Sequence, residues 1–125
     1  MRPLLLDTHA LLWWRDDDRR LSARAHEAIA DPDLRVFFSA ASIWEIAIKR
    51  ALGKLKAPPN LLDTMTERGF VELPVLSRHA LLAGALPAHH ADPFDRMIVA
   101  QAQSEGLTVL TRDERIAAYD VPILW

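Results

Sequence analysis

The sequence predicts an α/β protein with three layers, α/β/α, in which helices flank a small, mainly parallel central sheet. Short apolar runs typical of buried strands alternate with helical segments along the chain, and this alternation indicates a parallel sheet with helices on both faces. The chain has 125 residues, half of them hydrophobic, which suits one core and excludes a disordered tail. We therefore expect residues 1–125 to form a single domain.

The composition excludes several classes of protein. There is no cysteine, so the chain forms neither a disulfide framework nor a thiolate metal site, and it suits a reducing compartment. No apolar run approaches the ~20 residues that a membrane span needs, and the first apolar run is too short for a secretory signal. We expect a cytoplasmic protein with no membrane partner. The net charge of −2 is mild evidence against a generic polyanion binder, although metal ions at an acidic site would add positive charge.

The first predicted strand is a run of three leucines, Leu4–Leu6, that stops at the carboxylate of Asp7. A short apolar run ended by a polar residue is typical of a strand buried on both faces. Residues 8–14 then suit a helix, with Asp7 or Thr8 as its N-cap. Asp7 is thus predicted at the carboxyl end of a central strand, where open α/β sheets bind ligands.

The remaining elements follow from local start and stop signals. Residues 15–20, RDDDRR, are predicted to form a surface turn, and residues 53–59 a linker. Further strands are predicted at residues 34–38, 70–73, 107–110 and 121–125. The last strand is expected at the sheet edge, because Pro122 cannot donate to a ladder. Helices are predicted over residues 23–30, 39–52, 61–68, 78–86, 93–105 and 114–118, with Ser22, Ser39, Asn60, Ser77 and Asp92 as N-caps.

Four acids stand where such a sheet converges. Asp7 follows the first strand, and Asp113 follows the strand at 107–110. Asp95 lies in the first turn of the helix at 93–105, and Glu45 lies about two turns into the helix after the second strand. If all strands run parallel, the four carboxylates approach one end of the sheet.

Clustered carboxylates favour a particular chemistry. They raise one another's pKa unless a cation lies among them. Mg²⁺ or Mn²⁺ is the natural occupant, because hard cations take oxygen ligands. Such ions generate hydroxide and stabilise the charge on a phosphate during in-line displacement. The predicted chemistry is metal-assisted phosphodiester hydrolysis.

Each acid also has a purely structural interpretation. Glu45 stands three residues after Ser42, the spacing of a capping box, whereas Ser39 as the cap would place Glu45 inside the helix. The aspartates could cap helices or favour their first turns: Asp7, Asp92, Asp95 and Asp113. These interpretations explain each acid singly, but they leave the convergence of four acids unexplained.

Five segments carry a resemblance to a known family. They are LLLDTHALLWW at 4–14, SAASIWEIAIKRALGKL at 39–55, HHADPFDRMIVAQA at 89–102, LTVLTRD at 107–113 and the closing VPILW. In these segments the chain resembles the PIN-domain ribonucleases, and more closely the toxin subunits of VapBC-type toxin–antitoxin pairs. The resemblance covers essentially the full length. It implies a PIN-like parallel sheet flanked by helices, and an acidic site that binds Mg²⁺ or Mn²⁺ and cuts RNA.

Carried over by position, the resemblance implies four catalytic acids, Asp7, Glu45, Asp95 and Asp113. Asp7, Asp95 and Asp113 are expected to bind the metal, with Glu45 completing the pocket. The resemblance also implies products with a 3′-hydroxyl and a 5′-phosphate.

Several neighbours of these acids are expected to support the site. Thr8 and Thr111 match hydroxyls that hold the acids in the family, and Asp92 is expected to cap a helix or to bind the ion indirectly. Arg96 and Arg112 adjoin proposed ligands, so each is a candidate for phosphate contact, with a surface salt bridge as the alternative. The cations of residues 49–56 form either a basic strip beside the site or a solvated helix end: Lys49, Arg50, Lys54 and Lys56.

The family resemblance also implies protein partners. A cognate antitoxin is expected to pack its C-terminal segment over the helices, and a homodimer is expected. Trp13 and Trp14 are consecutive on a helix and cannot both face one core, so one of them is expected in the antitoxin groove or a dimer contact. The histidines near the ligand segments are expected to be exposed, with proton transfer as the alternative: His9, His89 and His90.

Three functions follow from these observations. The first is a metal-dependent endoribonuclease that acts as a toxin and is inhibited by an antitoxin. The second is a Mg²⁺-dependent phosphotransfer domain in which Asp7 takes the phosphoryl group, but a haloacid-dehalogenase-like phosphatase would need an aspartate where His9 stands. The third is a non-catalytic protein-binding module whose acids only cap helices.

Overall fold

The computed structural model describes residues 2–56 and 59–125, so Ala57 and Pro58 of the predicted linker lie outside the described residues. The described chain forms five strands: β1 (Leu4–Leu6), β2 (Val36–Ser39), β3 (Val71–Leu73), β4 (Thr108–Leu110) and β5 (Ile123–Leu124). It forms seven helices: α1 (Thr8–Arg15), α2 (Ala23–Ala30), α3 (Ala40–Ala51), α4 (Leu61–Glu67), α5 (Ser77–Ala85), α6 (Pro93–Glu105) and α7 (Glu114–Ala117). Within the described ranges, none of these helices has the length and apolar character needed to cross a bilayer.

The five strands form one sheet in the order β3-β2-β1-β4-β5, and each neighbouring pair is parallel. Leu6 of the central strand lies opposite Phe38 on one side and Leu110 on the other. The chain builds β2 and β3 on one side of β1 and then crosses to build β4 and β5 on the other. The gap between β1 and β4 is therefore the topological switch point, where α/β sheets of this kind bind ligands.

The three leucines of β1 connect both layers of helices. Leu4 and Leu6 lie in a core with residues of α1, α2, α3 and α4, whereas Leu5 lies in a second core with Ile98 and Val99 of α6. All three leucines are fully buried, so each contributes about 1.5–3 kcal/mol to folding. The predicted α/β/α layering and the doubly buried first strand are confirmed.

Most predicted boundaries lie within a few residues of the observed ones. The predicted bounds of α2 and α6 match, and Gly106 ends α6 with a φ of 69°. The edge position of the last strand is also confirmed. The prediction of Ser77 as an N-cap is wrong, because Ser77 is the first residue of α5. The backbone N–H of Leu76 instead donates to Nδ1 of His79 at 3.0 Å, so an imidazole takes part in the helix start.

Candidate active site

The four predicted acids converge at the carboxyl end of the sheet. Asp7 follows β1, Asp113 follows β4, Asp95 lies in the first turn of α6, and Glu45 lies in α3, which packs against α6. Burial, together with the negative charges of Asp92, Asp7, Glu45 and Asp113, raises the pKa of Asp95 to about 7. Because carboxylates affect one another in this way only at short range, the chain holds five acids in one cluster.

Asp7 is both a helix cap and a member of this cluster. Its Oδ1 accepts a hydrogen bond from the backbone N–H of Ala10 at 2.8 Å, and its Oδ2 accepts one from the hydroxyl of Thr111. Asp7 is only 4% exposed, and this burial raises its pKa in spite of those hydrogen bonds. The capping and site interpretations of Asp7 therefore both hold.

Thr111 connects Asp7 to Asp113. Its hydroxyl oxygen accepts from the backbone N–H of Asp113 at 3.0 Å while the hydroxyl donates to Asp7. Burial acts to raise the pKa of Asp113, but hydrogen bonds from the Arg115 backbone and from His90 outweigh it, so the pKa lies below its usual value. Asp113 is thus held as an anion beside a buried carboxyl group.

Thr8 has a different role from Thr111. Its hydroxyl donates to Oγ of Ser42 at 2.9 Å, and both side chains are buried. This bond connects the start of α1 to α3, so Thr8 positions a helix rather than an acid. Ser39 is the N-cap of α3, and its Oγ accepts from the N–H of Ala41 at 3.0 Å. Glu45 therefore lies inside the helix, and the capping-box interpretation is wrong.

Glu45 is buried and only half satisfied. Its Oε2 lies 2.6 Å from Nζ of Lys49, one turn further along α3. Its Oε1 is buried and has no hydrogen-bond partner among the residues that the structure describes. An unpartnered buried carboxylate oxygen is costly, so a ligand at this position would relieve a real deficit.

Lys49 belongs to the acid cluster rather than to a basic strip. The hydrogen bond to Glu45 raises the pKa of Lys49, and the charges of Asp92 and Asp95 raise it further although partial burial opposes them. Three other cations of this segment are exposed, as a solvated helix end would be: Arg50, Lys54 and Lys56.

Asp92 is the N-cap of α6, as predicted. Its Oδ1 accepts from the backbone N–H groups of Phe94 at 2.8 Å and Asp95 at 3.2 Å. Pro93 follows at the first helical position, where its missing N–H leaves no donor unsatisfied. The cap fixes the backbone of Asp95 and so the direction in which its side chain leaves the helix.

His90 is a site residue, and the exposed position expected for it is wrong because its side chain is buried. Its Nδ1 accepts from the backbone N–H of Asp92 at 3.2 Å, so the ring proton lies on Nε2. Nε2 lies 2.9 Å from Oδ2 of Asp95 and 3.2 Å from Oδ2 of Asp113. The Nε2–H of His90 therefore donates to Asp113 and lies beside the carboxylate of Asp95. The exposed position predicted for His9 and His89 is confirmed, and the only sequence feature that separates His90 is its place two residues before the cap of α6.

The expected phosphate contact by Arg96 is contradicted by its surroundings. Its guanidinium lies 2.8–3.4 Å from five oxygens, which are the carbonyls of Ala83, Leu86, Pro87 and His90 and the hydroxyl of Tyr119. Two of these carbonyls lie at the end of α5, where the last turn of a helix lacks internal donors. Arg96 thus connects α6 to the end of α5 and to the loop that carries His90.

The expected contact of Trp13 or Trp14 with an antitoxin or a second copy stays a prediction, and Trp14 is the more accessible of the two. Trp13 is 8% exposed and Trp14 is partly buried against Phe70. The exposed tryptophan is Trp44, at 65%, beside Glu45. Arg112 remains near the acids, exposed, with its guanidinium carbon 4.5 Å from the centre of the Trp13 ring.

The donor set fits a hard divalent cation. It consists of carboxylate oxygens, one of which, Glu45 Oε1, is buried and unpartnered in the described part of the chain. His90, Asp95 and Asp113 each offer one atom, all within 4.8 Å of one another. Because Nε2 of His90 carries its proton, the carboxylates would hold the ion and His90 would donate to them.

Comparisons with known proteins agree with this fold and site. The family model described as PIN domain matches residues 4–122. Ribonuclease VapC22 from Mycobacterium tuberculosis is 31% identical over 98% of this chain and 95% of its own. Two solved structures share the fold. VapBC2 from Rickettsia felis, bound to a DNA fragment from their promoter, is 13% identical with a TM-score of 0.73 over 97% of this chain and 96% of that one. DNA-bound VapBC from Salmonella typhimurium is 21% identical with a TM-score of 0.67 over 99% and 98%.

The fold and site define a class of protein: α/β proteins that have a parallel sheet and an acid cluster at its switch point. The chain belongs to the PIN-domain family, and it is similar over nearly its whole length to a VapC ribonuclease.

Proposed function

We propose that this chain, acting as one domain, is a Mg²⁺- or Mn²⁺-dependent endoribonuclease that hydrolyses RNA phosphodiester bonds as the toxin of a type II toxin–antitoxin pair. One observation carries the proposal: Asp7, Glu45, Asp95 and Asp113 converge at the switch point of the sheet. The 31% identity to a named ribonuclease supports it.

The proposed roles follow from the contacts of each acid. Asp7, Asp95 and Asp113 would hold a divalent cation, and Glu45 would complete the pocket through Oε1. A divalent ion held there would activate water at neutral pH and offset negative charge on the phosphate. Because the acids are fixed before the substrate arrives, little reorganisation is needed during the reaction.

Other residues of the chain orient the carboxylates. Thr111 donates to Asp7 and accepts from Asp113, so one hydroxyl fixes two acids. His90 donates to Asp113 and lies beside Asp95, and Lys49 neutralises the charge of Glu45. The products are an RNA 3′-hydroxyl and a 5′-phosphate, which rests on the resemblance to the family.

The proposed biology includes a cognate antitoxin, a homodimer and a cytoplasmic site of action. VapBC structures among the similar folds support the antitoxin partner. A gene for a small DNA-binding protein beside this one, and loss of toxicity when the two are expressed together, are the expected observations. If no such gene lies beside this one, the chain would be a nuclease without the toxin role.

The deciding experiment is RNA cleavage by the purified protein with Mg²⁺, with Mn²⁺ and with EDTA. We expect cleavage only with metal, and none above background for Asp7→Asn. Asp33→Asn is the matched control, because Asp33 is an exposed acid on the loop before β2, at the end of the sheet opposite the acid cluster. This variant should cleave RNA as the wild type does. Cleavage in EDTA at the full rate, or an active Asp7→Asn variant, would refute the proposal.

The same samples separate the two alternative functions. A phosphotransfer domain would acquire a phosphoryl group on Asp7 from a small phosphodonor and leave RNA intact. A non-catalytic module would bind no metal in a calorimetric titration, and Asp7→Asn would leave both RNA and cell growth unaffected.

A further inference from the structure

A pocket adjoins the acid cluster, and arginines and aromatic rings line its other side. It has a volume of about 330 Å³ and is lined by Asp7 and Asp113 on one wall and otherwise by His9, Trp13, Arg20 and Arg112. We propose that this Trp13 pocket binds an RNA backbone phosphate adjacent to the one that is cut, with Arg20 and Arg112 as its ligands. The inference rests on the proposed function, because the phosphate must belong to the strand held at the acids.

Trp13 is a fixed platform for both arginines. Its ring is 8% exposed and makes an edge contact with Trp125 at 5.8 Å. The guanidinium carbon of Arg112 lies 4.5 Å from the ring centre, and that of Arg20 lies 5.0 Å from it. A guanidinium is attracted to an aromatic ring and keeps N–H donors at its edge for a phosphate.

Both guanidiniums have donors to spare. Arg112 makes no hydrogen bond or ion pair with the residues that the structure describes. Arg20 uses Nε and one terminal nitrogen on the carboxylate of Asp18, at 3.1 Å and 2.7 Å, which leaves its other terminal nitrogen unused by that pair. Asp18 thereby orients Arg20, in the way that a fork-shaped pair fixes geometry.

The position of the pocket favours a nucleic-acid phosphate over a free anion. Successive phosphates of an RNA strand are covalently linked, so a strand whose scissile phosphate lies at the acids must bring a neighbouring phosphate to the rim of the cluster. The carboxylates of Asp7 and Asp113 would repel that neighbour, and cations beside them would offset the repulsion. Arg20 and Arg112 stand at that rim and attract the backbone irrespective of sequence.

The first test is RNA binding without catalysis. Fluorescence anisotropy with a single-stranded oligoribonucleotide in EDTA gives Kd at several salt concentrations. We expect Arg20→Ala and Arg112→Ala to weaken binding severalfold and to reduce the slope of log Kd against log salt by about 0.7–1. Arg20→Lys should keep most of the slope but lose affinity, because lysine retains the charge without the planar fork.

Arg35→Ala is the matched control. Arg35 also stacks on an aromatic ring, with its guanidinium carbon 4.9 Å from the centre of Phe37. It precedes β2 at the opposite end of the sheet from the acids. Its loss should leave Kd and the salt slope unchanged, and thermal unfolding of all four variants shows whether any has lost its fold.

The second test identifies the phosphate. RNA substrates with one uncharged methylphosphonate at each position in turn are cleaved by the wild type and by the two alanine variants. We expect one position next to the cut to slow the wild type severalfold and to slow the variants much less, because the two changes remove the same contact.

An unchanged salt slope, or a methylphosphonate effect that is equal in wild type and variants at every position, would overturn the inference. An acidic protein segment would then be the class of ligand to test. A wild type that cleaves no RNA with any metal would instead refute the proposed function itself, so the two failures are distinguishable.

Discussion

Asp7 and Asp113 lie between two regions built in opposite ways. Toward α3 and α6 is the acid region, where the side chains of Glu45, Asp95 and His90 are largely buried, Glu45 pairs with Lys49, and His90 lies beside Asp95. Toward α1 is the Trp13 pocket, where exposed arginines rest on a ring. The acid region is positioned by backbone N–H groups and hydroxyls, which are set when the helices form. The Trp13 pocket is positioned by ring stacking and by the ion pair of Arg20 with Asp18, so its exposed arginines can be replaced without altering the fold.

The difference has an energetic consequence. Burial and neighbouring carboxylates raise the pKa of Asp95 to about 7, so the folded chain disfavours its charged form. The acid region therefore costs stability in the absence of a cation, as functional sites commonly do. Substitutions there should change activity and stability together, whereas substitutions in the Trp13 pocket should change binding alone.

The largest expected effect is that of Asp95→Asn. Cleavage should fall by more than ~100-fold, beyond the ~10–100-fold typical of residues that only support metal ligands. The same variant should be more stable than the wild type at pH 8 in EDTA, by roughly 1–3 kcal/mol, because a repelled charge is removed. Denaturant unfolding and RNA cleavage measure the two effects, and a variant that is both inactive and less stable would contradict the comparison.

His90→Ala should have the next largest effect. Its loss removes the donor to Asp113 and the ring beside Asp95, and leaves the N–H of Asp92 without its acceptor. We expect cleavage to fall ~10–100-fold and the free energy of unfolding to fall by about 1–3 kcal/mol. His89→Ala is the control, because His89 is exposed and its ring makes an edge contact with Tyr119. Equal effects of the two substitutions would remove His90 from the site.

Lys49→Met tests whether one cation offsets the buried charge of Glu45. Removing one partner of a buried pair leaves an uncompensated charge, and since Lys49 is 41% exposed we expect a loss of only ~1–2 kcal/mol in EDTA. Mg²⁺ should raise the melting temperature of this variant more than that of the wild type, because the ion replaces the missing charge. Arg50→Met, its exposed neighbour, is the control and should respond to Mg²⁺ as the wild type does.

The smallest effect concerns an ion cluster outside both regions. Hydrogen bonds from His79, the larger effect, and from Arg78 lower the pKa of Glu105 to about 2. A lowered pKa in the folded state gives stability that is present above the unfolded value near 4.5 and is lost as the pH falls toward about 2. Glu105→Gln should therefore lose less stability than the wild type over that interval, by a fraction of a kcal/mol, about what exposed pairs contribute. Glu67→Gln, an exposed acid of α4, should keep the wild-type pH dependence.

Local signals in the sequence determined most of the fold. Asp92-Pro93 and Gly106 set both ends of α6 because a cap, a residue without an N–H and a residue that tolerates positive φ act on their own neighbours. The leucines of β1 predicted a strand buried on two faces, and parallel strands then brought Asp7 and Asp113 to one edge. Convergence of the acids was therefore predictable before any distance was known.

Only the tertiary structure decided which partner each remaining side chain finds. Arg96 adjoins a proposed ligand in sequence, yet in the fold its guanidinium contacts four carbonyls of the end of α5 and the loop after it, and the hydroxyl of Tyr119. His90 and His89 are alike in sequence, but one enters the acid cluster and the other remains exposed. Arg20 meets Trp13 and Arg112 only because α1, the turn after it and the end of β4 meet at one edge of the sheet. Caps and periodicity depend on neighbours along the chain, whereas a hydrogen-bond partner depends on which distant segment packs nearby, and that is a property of the whole fold.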